Sequence, residues 1–209
     1  MIKEAYSFTI LIAKYFLINE IVKIRGFSIF HWYLISHSIS KFDSFLISAI
    51  CLYIAQKTKE YFYIPLDLFL KKVFEEIGVK RNLKIEVNER FIELKKEEFY
   101  NLEFEILKSI GFNLNMEIPI AYIELLKPLI DYNSYENALV ICSGIYYFPL
   151  CLMYHPLELA CYCVEMAISI LEDNHDLLKW NESSSRLNNF QAIEEIKGIC
   201  YQYKLNLIP

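Results

Sequence analysis

From Phe45 to Ala55 the chain carries no charged residue, and its positions separate into helical stripes. Ile47, Ile50 and Ile54 share one side; the small Ser48, Cys51 and Ala55 share another. A helix apolar on every face predicts burial, and a stripe of small residues predicts a neighbouring helix lying close. The run stops abruptly at Gln56, Lys57, Thr58, Lys59 and Glu60. One buried helix therefore delivers a lysine to the edge of a core. On spacing alone, Lys57 reads as a last-turn cation facing the negative end of the helix dipole.

The same periodicity extends along the chain. Ala5 to Ile24 predicts a first helix with Ile10, Ala13, Leu17, Ile21 and Ile24 inward, and Arg25, Gly26 and Phe27 predict a turn. Ser28 to Ser38 predicts a second, aromatic-rich helix. Pro65 opens a fourth, LDLFLKKVFEEIG, with Gly78 read as its C-terminal cap. The fifth starts after Asn88, a good N-cap, and runs to Gly111. Along it Phe99, Glu103, Leu107 and Ile110 fall at spacings of four, four and three, so Glu103 sits inside the apolar stripe. A carboxylate there wants a cation, unless it bends out to water from the stripe's edge.

After an extended linker, FNLNMEI, Pro119 opens a sixth helix, Ser134 is read as capping a seventh and Pro156 opens an eighth. Asp173 to Arg186 reads as a polar loop, and Leu187 to Tyr203 as a last amphipathic helix. Leu46, Ala49 and Leu52 recur as Leu157, Ala160 and Cys163 at a constant offset of 111 residues. Two sets of about five helices, each around a buried middle helix, predict an all-α internal repeat. Asn137 to Leu157 carries no charge and is long enough to span a bilayer, but Pro149 and Pro156 divide it and no basic flank orients it. Two core helices broken at Pro149 fit it better.

Composition narrows the functional classes. At 209 residues and 55% hydrophobic the chain can bury a sizeable core, while five glycines and six prolines are few for an all-β protein. A net charge of -5 offers phosphate backbones no bulk attraction, and the lysines from Lys71 to Lys84 are interleaved with glutamates. Direct nucleic-acid binding is not expected. The six cysteines form no C-x-x-C pair and sit mostly in apolar runs, as reduced thiols of an intracellular protein would. The opening MIKEAYSF does not read as a signal peptide. No G-x-G-x-x-G, P-loop or metal-ligand spacing of the four histidines occurs, so neither a catalytic centre, a metal nor a cofactor is expected.

The run AICLYIAQKTKE, followed by EEFYNLEFEILKSIGFNLNMEIP, resembles the cyclin box. In that fold a buried third helix ends in a lysine and the fifth carries a glutamate ahead of an aromatic and leucine pair. CLMYHPLELACYCVEMA resembles the third helix of a second cyclin fold. The resemblance covers nearly the whole chain and implies tandem five-helix cyclin boxes, 1–113 and 114–209. AKYFLINEIVKI, HWYLISHSISKFD and KTKEYFYIPLDLFL look most like the transcription cyclins, cyclin H and then cyclin C. What the resemblance implies is a non-catalytic nuclear subunit that activates a cyclin-dependent kinase as a heterodimer, with an assembly factor or transcription complex as a further partner. Its kinase-binding residues would be Lys57, Glu60, Glu103, Leu107, Phe112 and Leu114.

Departures exist. The family's Lys-x-Glu-Glu reads Lys57, Thr58, Lys59, Glu60, and the Met-Arg-Ala-Ile-Leu motif of cell-cycle cyclins is not found in the first helix. The chain starts almost in the first repeat and stops at Pro209, so functions tied to the extra terminal helices of cyclin H are not expected. A cyclin-fold general transcription factor, or a helical scaffold for a non-kinase partner, is the alternative; the former would carry basic DNA-facing helices and a zinc ribbon, and neither is evident. Phe112 and Leu114 lie on a segment with no stripe to bury them. They are expected either as exposed interface anchors or folded inward between the repeats.

Overall fold

The computed structural model describes residues 2–37, 43–58, 64–170 and 195–196. Glu60, Cys200, the polar loop expected at 173–186 and all but two residues of the helix expected at 187–203 lie outside these. The described residues are all-α: α1 (Ile2–Tyr15), α2 (Glu20–Ser36), α3 (Ser44–Lys57), α4 (Leu66–Arg81), α5 (Glu89–Ser109), α6 (Pro119–Leu126), α7 (Tyr132–Ile145) and α8 (Pro156–Ile170). The chain divides into two compact units, Met1–Met116 and Glu117–Pro209.

In the first unit α3 is the axis. Every residue from Leu46 to Gln56 is buried, and α1, α2, α4 and α5 all pack on it. Asp43 fixes its start. That carboxylate accepts from Phe45 N at 3.0 Å and is itself gripped by Arg81, from the end of α4, at 2.9 Å. Cap and ion pair together tie the beginning of one helix to the end of another.

The expected turn at Arg25 to Phe27 is instead the middle of α2. Gly26 is there for a different reason. A Cβ at this position would lie 3.0 Å from Leu52 Cα, so only glycine lets α2 press its backbone against α3. The break falls earlier, ending α1 at Tyr15. Leu17 takes a left-handed φ of 54°, and Ile18 N donates to Ala13 O at 2.9 Å, closing the helix in a Schellman geometry without glycine. Asn19 then caps α2 by accepting from Val22 N.

Gly78 likewise does not cap α4, which continues to Arg81. Asn82 supplies the left-handed residue, and Leu83 N folds back to Gly78 O at 2.9 Å. A Cβ on Gly78 would meet Leu83 O at 3.0 Å. The glycine makes room for the returning chain. Asn88 does cap α5, accepting from Phe91 N at 2.9 Å.

In the second unit α6 and α7 pack on α8. Asp131, not Ser134, caps α7, accepting from Asn133 N and Ser134 N, while the Ser134 hydroxyl donates back to Asp131. The uncharged stretch 137–157 is divided between the end of α7, a 3-10 turn at Pro149–Leu152 and the start of α8. No helix among the described residues is long and apolar enough to cross a membrane. Cys51, Cys142, Cys161 and Cys163 are buried free thiols and Cys151 is half-buried. Burial pushes the Cys161 thiol up to about 11, with Glu165 and Glu158 adding to the shift.

Candidate functional site

The site is built where α3 ends. Lys57 Nζ forms an ion pair with Glu103 Oε1, joining the last residue of α3 to the middle of α5. The partners are unequally exposed. Glu103 is 7% exposed, held there by its place in the stripe with Phe99 and Ile106, whereas the Lys57 side chain is 42% exposed. The lysine stem crosses the face of Tyr53, its ammonium 5.6 Å from the ring centroid. Tyr53 is fixed in turn by donating to Ile64 O at 3.1 Å and by edge-on contact with Phe99. An exposed ion pair contributes about 1 kcal/mol or less, but a carboxylate left unpaired in a core costs several times that. Lys57 therefore serves mainly to compensate Glu103, and its outward half remains available.

The next residue, Thr58, caps α3. Its hydroxyl donates to Ala55 O at 2.7 Å and accepts from Arg25 Nη1, on α2, at 2.9 Å. Burial lowers the Arg25 pKa from its ordinary value, yet the group stays cationic at any physiological pH.

The end of α5 carries the apolar part. Gly111 N donates to Lys108 O at 3.1 Å and Phe112 N to Leu107 O at 2.8 Å, which closes the helix; both Gly111 and Phe112 are left-handed, at φ 63° and 57°. No atom lies within 4 Å of where a Gly111 Cβ would sit, so glycine is there for its backbone freedom alone. This turn throws the Phe112 ring outward, where it is 57% exposed and meets the 60% exposed Phe104 edge-on at 6.0 Å. Tyr100, one turn before Phe104, is 54% exposed and extends the aromatic row.

Leu107 and Leu114 are placed differently, half-buried against the core of the first unit. Lys57 and Glu103 are thus brought together, Leu107 lies on α5 and Phe112 and Leu114 follow its end, while Glu60 lies outside the described residues. Sequence reasoning missed Arg25, which it put in a turn, and Tyr100 and Phe104. The pair at positions 100 and 104 has helical spacing on the side away from the core, a signal available in the sequence. Among the described residues no group of carboxylates, cysteines and histidines could hold a metal ion.

No family model matches the chain. Over 96 residues it is 27% identical to cyclin N-terminal domain-containing protein 1 of Mus musculus, a stretch covering 46% of this chain and 24% of that one. In structure it is similar to a chain of the yeast RNA Pol II CTD kinase CTDK-1 complex, with a TM-score of 0.66, 14% identity, and coverage of 83% of this chain and 56% of the other. The chain thus spans about a quarter of that relative and just over half of the solved chain. The first likeness supports the cyclin resemblance and the second supports its fold; neither separates a cyclin H from a cyclin C type.

Proposed function

We propose that the chain is a non-catalytic regulatory subunit of the cyclin type, which binds a cyclin-dependent kinase as a heterodimer and favours its active conformer. The observation that carries this reading is the juxtaposition around α5: a buried carboxylate compensated by a half-exposed lysine, beside an exposed row of three aromatic rings. Large exposed apolar groups rimmed by fixed polar ones are what an interface core requires. The kinase's inactive and active conformers would differ by a few kcal/mol, so a partner binding the active one better shifts the population. Phosphoryl transfer stays with the kinase. Likeness to a chain of the RNA Pol II CTD kinase complex supports a transcription-type role; on the sequence resemblance, the proposal extends to a cyclin H-like subunit acting in the nucleus within a larger assembly.

The test is co-expression with candidate kinases, asking which co-purifies and gains activity. Phe104→Ala and Phe112→Ala are each expected to weaken that binding by about 1 to 2 kcal/mol. Failure of every kinase to co-purify, with another protein captured instead through the same rings, would make the chain a helical scaffold.

A further inference from the structure

Arg25 is an expensive residue for its place. Its guanidinium is half-buried, its pKa is depressed by desolvation, and its Nε is enclosed without a hydrogen-bond acceptor among the described residues. A cation held at such a cost calls for an explanation beyond packing. Its one direct hydrogen bond to a described side chain runs to Thr58, and Thr58 in turn holds Ala55 O, a carbonyl of the last turn of α3. A positive group beside that turn also opposes the negative end of the helix dipole. Gly26 makes the reach achievable: α2 touches α3 at Leu52, and Thr58 lies six residues further along, roughly 9 Å by helical rise. Lys57 stands between the two points that this relay fixes.

We infer that Arg25 and Thr58 are positioning residues for the Lys57–Glu103 pair: through the Thr58 hydroxyl, Arg25 locks the last turn of α3 and thereby holds the lysine on the buried carboxylate. Two helices then converge on consecutive residues at the end of α3, α2 through Thr58 and α5 through Lys57. Without the relay the last turn frays, and Lys57 spends part of its time in water.

The decisive measurement needs no kinase. Melting temperatures of Lys57→Met, Glu103→Gln and the double variant give the coupling between the two side chains, first in the native background and then with Arg25→Gln. The native cycle is expected to be non-additive by about 2 to 4 °C, and Arg25→Gln is expected to remove at least half of that. Thr58→Val should act like Arg25→Gln, while Thr58→Ser, which keeps the hydroxyl, should preserve the coupling. Should Arg25→Gln not fold, the two Thr58 variants carry the same comparison. Coupling of equal size in all backgrounds would overturn the inference.

A second arm rests on the proposed kinase interaction. Thr58→Val is expected to weaken kinase binding about tenfold in the native chain and to add nothing once Lys57 is methionine. Losses that simply add would mean that Thr58 acts independently of Lys57 and would also overturn it. Absence of kinase binding by the native chain would defeat the functional reading alone, because the melting cycle still decides this one.

Discussion

α3 and α8 are the same device used in two ways. Both are largely buried helices around which a unit packs, and at the offset relating Ala49 to Ala160 most of their buried positions correspond, Leu157, Glu158, Glu165 and Met166 of α8 being only half-buried. They part at the C-terminal end. Where α3 has Lys57, reached by Glu103 from α5, α8 has Ile168, which is wholly buried. Packing alone requires only the pattern of α8. The ion pair at the end of α3 is an addition to that pattern, and it stands beside the exposed rings of α5.

Exchanging the two residues breaks this comparison most sharply. Ile168→Lys would bury an unpaired cation and is expected to cost about 3 to 5 kcal/mol, read as loss of cooperative unfolding or a collapse in melting temperature. A second unit that tolerated it would show that α8 is looser than its burial implies. The next effect is smaller and asymmetric. Lys57→Ala strands the buried Glu103 and is expected to cost roughly 2 kcal/mol, whereas Glu103→Gln releases a half-exposed lysine to water and should cost less than half as much by denaturant titration.

A pH scan probes what the two helices share, since burial raises the Cys51 thiol of α3 as well as the Cys161 thiol of α8. The Cys161 thiol of α8 titrates near 11 when folded against an ordinary 9.0. Its folded pKa is raised, so its contribution is intact below pH 9 and is lost as pH climbs from 9 to 11. The loss is on the order of 2 kcal/mol; because burial raises the Cys51 and Cys151 thiols as well, Cys161→Ala should lessen, not abolish, the fall in melting temperature across that window. The smallest effect concerns the surface. Phe104→Ala should change stability by no more than about 0.5 kcal/mol, because the ring is mostly in water; a larger loss would make it a packing residue.

What was legible in the sequence follows from how local each signal is. The uncharged run of α3, Asn88 at the start of α5, and Pro119 and Pro156 opening α6 and α8 are contiguous patterns, and the structure keeps them. Glu103 stood out because one stripe cannot hold a carboxylate without a partner. Gly26 and Gly78 were misread since a glycine that admits a distant backbone looks, in sequence, like one that makes a turn. Leu17 was hidden for the opposite reason: nothing marks a leucine as left-handed. Arg25 could not be assigned to α3 because its partner lies 33 residues away and the contact exists only once α2 and α3 have packed.

The turn that closes α5 sets two kinds of selection against each other. A bulky side chain at φ 57° carries backbone strain on the order of 1 kcal/mol, and the Phe112 ring regains little of it from solvent. Pressure for thermal robustness alone would drift that position toward glycine or asparagine. Among related chains, a phenylalanine retained there would therefore mark lineages in which recognition through this ring outweighs robustness, and a glycine would mark lineages that have given the contact up.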